Sequence, residues 1–185
     1  MRKLTQILLV VVVACTVSAF AQEALWKELY GEFDRLYKQL QYSEAAKVAE
    51  EALTVAEKTF GPNHPYMAAS LNNLAMVYQA QGRYAKAQPL YKRLLKIREK
   101  AFGKDHPDVA QSLSNLAGAY QAQGKYSEDE PLYKRALAIV EKTIGPEHPH
   151  VAATCENMAE LCRQIGREDE AGRFEARARR IRSNQ

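Results

Sequence analysis

The chain has 185 residues, 46% of them hydrophobic and 26% charged, with a formal net charge of +4. That is the composition of one ordinary soluble domain. With 26 Lys and Arg against 22 Asp and Glu, it lacks the basic excess of a nucleic-acid binder.

Residues 1–21 read as a secretory leader. Arg2 and Lys3 form a positive start, Ile7 to Cys15 an apolar core, and Ala19-Phe20-Ala21 a small-x-small cleavage site. The apolar stretch is short for a membrane span. Val12-Val13-Ala14-Cys15 also resembles a bacterial lipoprotein box, which would leave Cys15 lipidated and tether the protein to a membrane. The apolar run continues past Cys15 as TVSAFA, which favours simple cleavage after Ala21. Either route exports the protein, to the periplasm or beyond. Removing the leader removes two positive charges, leaving 24 − 22 = +2.

The remainder, 22–185, reads as one helical domain. Residues 22–41 form a divergent first helix with Trp26, Leu29, Phe33, Leu36 and Leu40 on one side. From Tyr42 the sequence repeats with a period of 42, in units 42–83, 84–125 and 126–167. The first and second units match at 20 of 42 positions and the second and third at 18. Residues 168–185 read as a capping helix, with Phe174 inward and many charges outward.

Each unit carries two helical patterns. Leu71, Leu74, Ala75 and Tyr78 share one face, as do Ala87, Leu90, Tyr91, Leu94 and Leu95. Gly61, Gly82, Gly103, Gly124, Gly145 and Gly166 are expected stops that tolerate positive φ. Pro65, Pro107 and Pro149 fall in the first turn of the next helix, where a missing N–H costs nothing. Asn63 and Asp105 are the expected N-caps. Pro89 and Pro131 lie deeper, predicting a loose or tightened first turn. Cys155 and Cys162 are seven residues apart on one helix. Their Cα atoms are then ~10.5 Å apart, beyond the reach of a disulfide, so they read as buried thiols.

The pattern Leu71, Leu74, Ala75, Tyr78, Gly82, Tyr84, Ala87, Tyr91 resembles the tetratricopeptide repeat. The second copy is Leu113, Leu116, Ala117, Tyr120, Gly124, Tyr126 and Tyr133, with Asp129 in place of the small Ala. The third is Cys155, Met158, Ala159, Cys162, Gly166, Ala171, Phe174 and Ala178. The 42-residue length and the GxxHPxVAxxLxNLA phrasing are similar to the kinesin light chain type of this repeat. The resemblance implies an all-α solenoid of about four helical hairpins wound as a right-handed superhelix. Stacking explains how two-helix units bury apolar stripes they cannot bury alone.

His64, His106 and His148 recur once per unit. Units stack with helices roughly 10 Å apart, too far to share one metal with ligands at about 2 Å. They read as turn residues, and no metal or cofactor is expected. No nucleophile triad, glycine-rich phosphate loop, CxxC or HExxH occurs, so no catalytic residue is assigned. Glu128-Asp129-Glu130 reads as a solvated helix start favoured by the dipole.

Asn73, Asn115 and Asn157 occupy one position in the three units, about 180° from the core face at 100° per residue. The resemblance places that side in a concave groove, where such asparagines hold bound peptides. Other groove candidates are Asn72, Met76, Gln79, Gln111, Ser114, Gln121, Glu156, Glu160, Arg163 and Gln164. The amides can donate to and accept from an extended backbone. The expected function is therefore non-catalytic binding of a protein or peptide partner. The alternative is an assembly module acting through self-association or scaffolding.

Overall fold

A computed structural model describes residues 2–184, with side chains from Ala19 onward. Among these, eight helices follow in order: α1 (Arg2–Lys38), α2 (Tyr42–Thr59), α3 (Pro65–Ala80), α4 (Tyr84–Phe102), α5 (Pro107–Gln121), α6 (Tyr126–Ile144), α7 (Pro149–Gln164) and α8 (Glu168–Ser183). The helical backbone of α1 includes the leader segment. The side chains of the positive start, the apolar core and Cys15 lie outside the described residues, whereas Ala19, Phe20 and Ala21 are described and exposed. Among the described residues no helix is long and apolar enough to cross a membrane.

The chain forms two compact units, residues 1–81 and 82–185. In the first, α1 and α2 form a hairpin and α3 packs on both. Trp26, Leu29, Phe33 and Leu36 of α1 are buried, and so are Ala45, Ala46, Ala49, Ala52 and Ala56 of α2, the helix packed beside it. Burying each large side chain contributes about 1.5–3 kcal/mol, and the alanines let the helices approach closely.

Leu40 departs from the expected inward stripe. It is 69% exposed and sits at φ 60°. It occupies the repeat position where Gly82 and Gly124 adopt φ 71° and 70°. The chain must turn left-handed there to leave the helix, so the side chain leaves the core face, at a conformational cost to a non-glycine residue. The six expected stop glycines all have positive φ.

In the second unit, α4 packs on α5, and α5/α6 and α7/α8 form hairpins with α6 against α7. One buried cluster joins Val109, Leu113, Ile139, Val140, Val151, Cys155 and Ile181. A second joins Ala117, Tyr133, Met158 and Leu161. Both cysteines are free and buried, as packing requires of residues standing where Leu71 and Tyr78 stand. Burial pushes both thiols up. Pro89 and Pro131 lie inside continuous helices. Ahead of them, i→i+3 bonds from Lys86 to Arg83 and from Glu128 to Lys125 tighten the first turn.

The N-caps are not Asn63 and Asp105. His64, His106 and His148 cap α3, α5 and α7. Each Nδ1 accepts a bond from the backbone N–H two residues on, at Tyr66 (3.2 Å), Asp108 (3.1 Å) and His150 (3.2 Å). The proline at N1 offers no N–H, so the cap serves the first donor present. Phe60 stacks on His64 and Phe102 on His106, with centroids 4.8 and 4.6 Å apart. Asp105 instead pairs with Lys142 of α6.

Candidate functional site

Within the first unit, Trp26 of α1 fills the space beside α3. Its ring stacks on Tyr66 with centroids 4.0 Å apart and lies 5.2 Å from Tyr30. Its Nε1 donates to the Ser70 hydroxyl at 2.8 Å, and Tyr66 Oη donates to Glu23 at 2.8 Å. Bonding a buried indole N–H is what makes that burial favourable.

Two repeats later, 84 residues on, the same positions carry different side chains. Ala110 stands where Trp26 stands, Ser114 where Tyr30 does, His150 where Tyr66 does and Thr154 where Ser70 does. The space between α5 and α7 is an open cleft of about 200 Å³. Gln111, Ser114, Asn157, His150 and Asp108 supply its polar groups, and Ala110, Val140, Ala153 and Pro107 its apolar wall. The cleft thus follows from replacing a tryptophan and a tyrosine by small residues. Thr154 is mostly buried, and its hydroxyl donates to the His150 carbonyl at 2.8 Å.

Three expected groove residues, Gln111, Ser114 and Asn157, are brought together in this cleft. Asn115 joins them through Gln111, whose Nε2 donates to Asn115 Oδ1 at 2.9 Å. Gln121 and Gln164 bridge α5 and α7 toward their C-terminal ends, Nε2 to Oε1 at 3.0 Å. Tyr133 Oη also donates to Gln121.

Glu156 and Arg163 are drawn to α8. Arg182 binds Glu156 through two bonds of 2.7 and 2.8 Å and holds its carboxyl below the usual range. Arg163 pairs with Glu175 of α8 and with Glu160, which also accepts from Gln164 at 2.9 Å. These charges tie α7 to α8 as a polar end to the unit.

In the first unit, Asn73 is only 9% exposed, whereas Asn157, lining the open cleft, is exposed. Asn72 Nδ2 contacts Met76 Sδ at 3.0 Å, and Gln79 is half-buried.

Asp129 differs most from expectation. The Glu128-Asp129-Glu130 run is not uniformly solvated, because Asp129 is completely buried with neither carboxylate oxygen hydrogen-bonded. The period could have indicated this, since Ala45, Ala87 and Ala171 hold the same packed position. It could equally have indicated the cleft, through the pairing of Trp26 with Ala110. Among the described residues no group of three His, Cys, Asp or Glu is placed to hold a metal.

Tetratricopeptide-repeat models match residues 35–100, 66–128 and 130–184, and a second such model matches 109–150. Among solved structures, the chain is similar to a putative kinesin light chain from Podosopora anserina with nearly identical TPR-like repeats. That similarity has 29% identity and a TM-score of 0.75, over 86% of this chain and 75% of the other. The fold is also similar to that of BtubC (BKLC) from P. vanneervenii, at 23% identity, TM-score 0.74, and 94% and 72% coverage. MamA from Desulfovibrio magneticus RS-1 shares the fold at 15% identity, TM-score 0.67, and 86% and 77% coverage. No curated protein matches. Hairpins of repeat length, their capping and stop residues, and these matches agree that the chain belongs to the tetratricopeptide-repeat family.

Proposed function

We propose that the chain is a non-catalytic recognition module that receives an extended peptide segment of a protein partner in the α5–α7 cleft. The tetratricopeptide fold is a general protein–protein interaction module. The observation that carries the finer reading is the vacated tryptophan position. Where Trp26 fills the first unit from within, Ala110 leaves a pocket with an apolar wall and an amide rim. The rim amides of Gln111 and Asn157 can pair with a peptide backbone, and Asn115 holds Gln111 in place. Ala110, Val140 and Ala153 can take a side chain. Concave sites with an apolar lining and few polar groups are the usual binding geometry.

The test follows from the same comparison. Ala110→Trp should fill the cleft as Trp26 fills its own, without unfolding the unit. Peptides selected from a random library on the wild-type protein should bind Ala110→Trp at least about tenfold more weakly, a loss of about 1.4 kcal/mol. Gln111→Ala/Asn157→Ala should weaken them as well. Unchanged affinity for a folded Ala110→Trp variant would refute the reading. Concentration-dependent sedimentation without peptide binding would favour the self-association alternative.

The export reading is likewise proposed, on the leader-like layout of residues 1–21. The mass of the mature N-terminus decides it. A free N-terminus at Gln22 supports cleavage after Ala21, a lipid-modified Cys15 supports anchoring, and an intact Met1 contradicts both.

A further inference from the structure

We propose that Asp129 makes the α5–α6 hairpin a proton-operated latch, tight while the buried carboxyl carries a proton and loosened when it gives the proton up. At the same repeat position Ala45, Ala87 and Ala171 are all buried, and Ala171 packs on Ala159 and Cys162 of the preceding helix. A carboxyl there is fully buried, and neither oxygen has a hydrogen-bonding partner. An unpaired buried carboxylate is strongly unfavourable, whereas the neutral acid is tolerated.

No neighbouring side chain holds the charge. Glu128 and Glu130, beside it on α6, repel it, and the Glu130 backbone N–H is close enough to favour it without making a hydrogen bond. Cations that could answer it are engaged elsewhere. Lys134 and Arg167 bind Glu130, at 2.7 and 2.8 Å, and Lys125 binds Gln123 at 2.9 Å. Tyr133, one turn on, gives its hydroxyl to Gln121 of α5. The titratable or charged groups on the helices packed against α6 are Asp108 and Tyr120 of α5, and His150, Cys155, Glu156, Glu160, Cys162 and Arg163 of α7. Burial first, and the two glutamates second, push its pKa up to about 7.

The folded pKa lies above the unfolded one. The latch is therefore fully closed below the ordinary aspartate range. Its closing equilibrium weakens about tenfold per pH unit from about pH 4 to about pH 7, and then levels off. Acidification tightens the hairpin and neutral pH relaxes it.

The experiment compares thermal unfolding and amide exchange of the wild-type protein with Asp129→Ala and Asp129→Asn between about pH 4 and about pH 8. Neither readout requires a ligand, so the result is independent of the cleft. Asp129→Ala restores the residue found at this position elsewhere in the repeat, and Asp129→Asn mimics the protonated acid. Both variants should lack the wild-type slope over that window. At about pH 7.5, α5 and α6 amides should exchange at least about tenfold more slowly in Asp129→Ala than in the wild type. A carbon-detected titration of the Asp129 carboxyl should show a midpoint well above the usual aspartate range. Parallel pH profiles for all three proteins, or a carboxyl titrating at its ordinary value, would overturn the proposal.

Discussion

Removing the histidine caps should weaken the starts of α3, α5 and α7 in a graded way. Each imidazole Nδ1 satisfies one backbone donor, and losing such a cap costs about 0.5–2 kcal/mol, typically about 1. His64 and His106 also lose a stacked phenylalanine, a contact contributing about 0.5–1.5 kcal/mol. His148 has Ile144 at the phenylalanine position and meets only the edge of His150. His64→Ala and His106→Ala should therefore cost about 1.5–2.5 kcal/mol each, and His148→Ala about 1. Replacement by Asn keeps an acceptor and should recover the cap but not the stacking. The assay is urea unfolding, read alongside exchange of the Tyr66, Asp108 and His150 amides. Those three amides should lose protection locally before the units unfold. Equal costs for the Ala and Asn variants, or unchanged protection of the three amides, would refute the capping argument.

Trp26 is the only tryptophan and is buried in the first unit, so its emission reports that unit alone. Trp26→Phe should cost about 1–3 kcal/mol by stranding the Ser70 hydroxyl, measured by circular dichroism. Gly124→Leu should cost about 1–2 kcal/mol, because position 124 needs φ 70°. Leu40→Asn, relieving the same constraint, should raise the melting temperature. The two thiols, buried and pushed up in pKa, should react with iodoacetamide at neutral pH only as the second unit unfolds; rapid labelling of the native protein would contradict their packing role.

The hairpins were legible because glycine stops, N1 prolines and apolar faces recur together at one interval. Three details are less plain in the sequence. Leu40 continues the apolar stripe of α1, yet it lies one repeat before Gly82 and shares its left-handed backbone. Asn63 and Asp105 are better caps by residue type, but His64 and His106 lie immediately before the proline, where Nδ1 reaches the N2 amide. Asp129 has charged neighbours on both sides, but a helix turns each neighbour by 100° and only Asp129 of the three is buried. The asparagine position was legible as a series, but its surroundings were not. Burial of Asn73 and exposure of Asn157 depend on the side chains around each. Glu156 and Arg163 had the right face for a groove and were claimed by Arg182 and Glu175 of α8.

Amide chemical-shift mapping of the labelled protein with a library-selected peptide locates the bound segment on the chain. Shifts should concentrate at residues 107–115 and 150–157, with Val140 as the contact from α6, and should be lost in Ala110→Trp. Shifts confined to the outer faces of α6 and α8, or persisting unchanged in the filled variant, would contradict binding in the α5–α7 cleft.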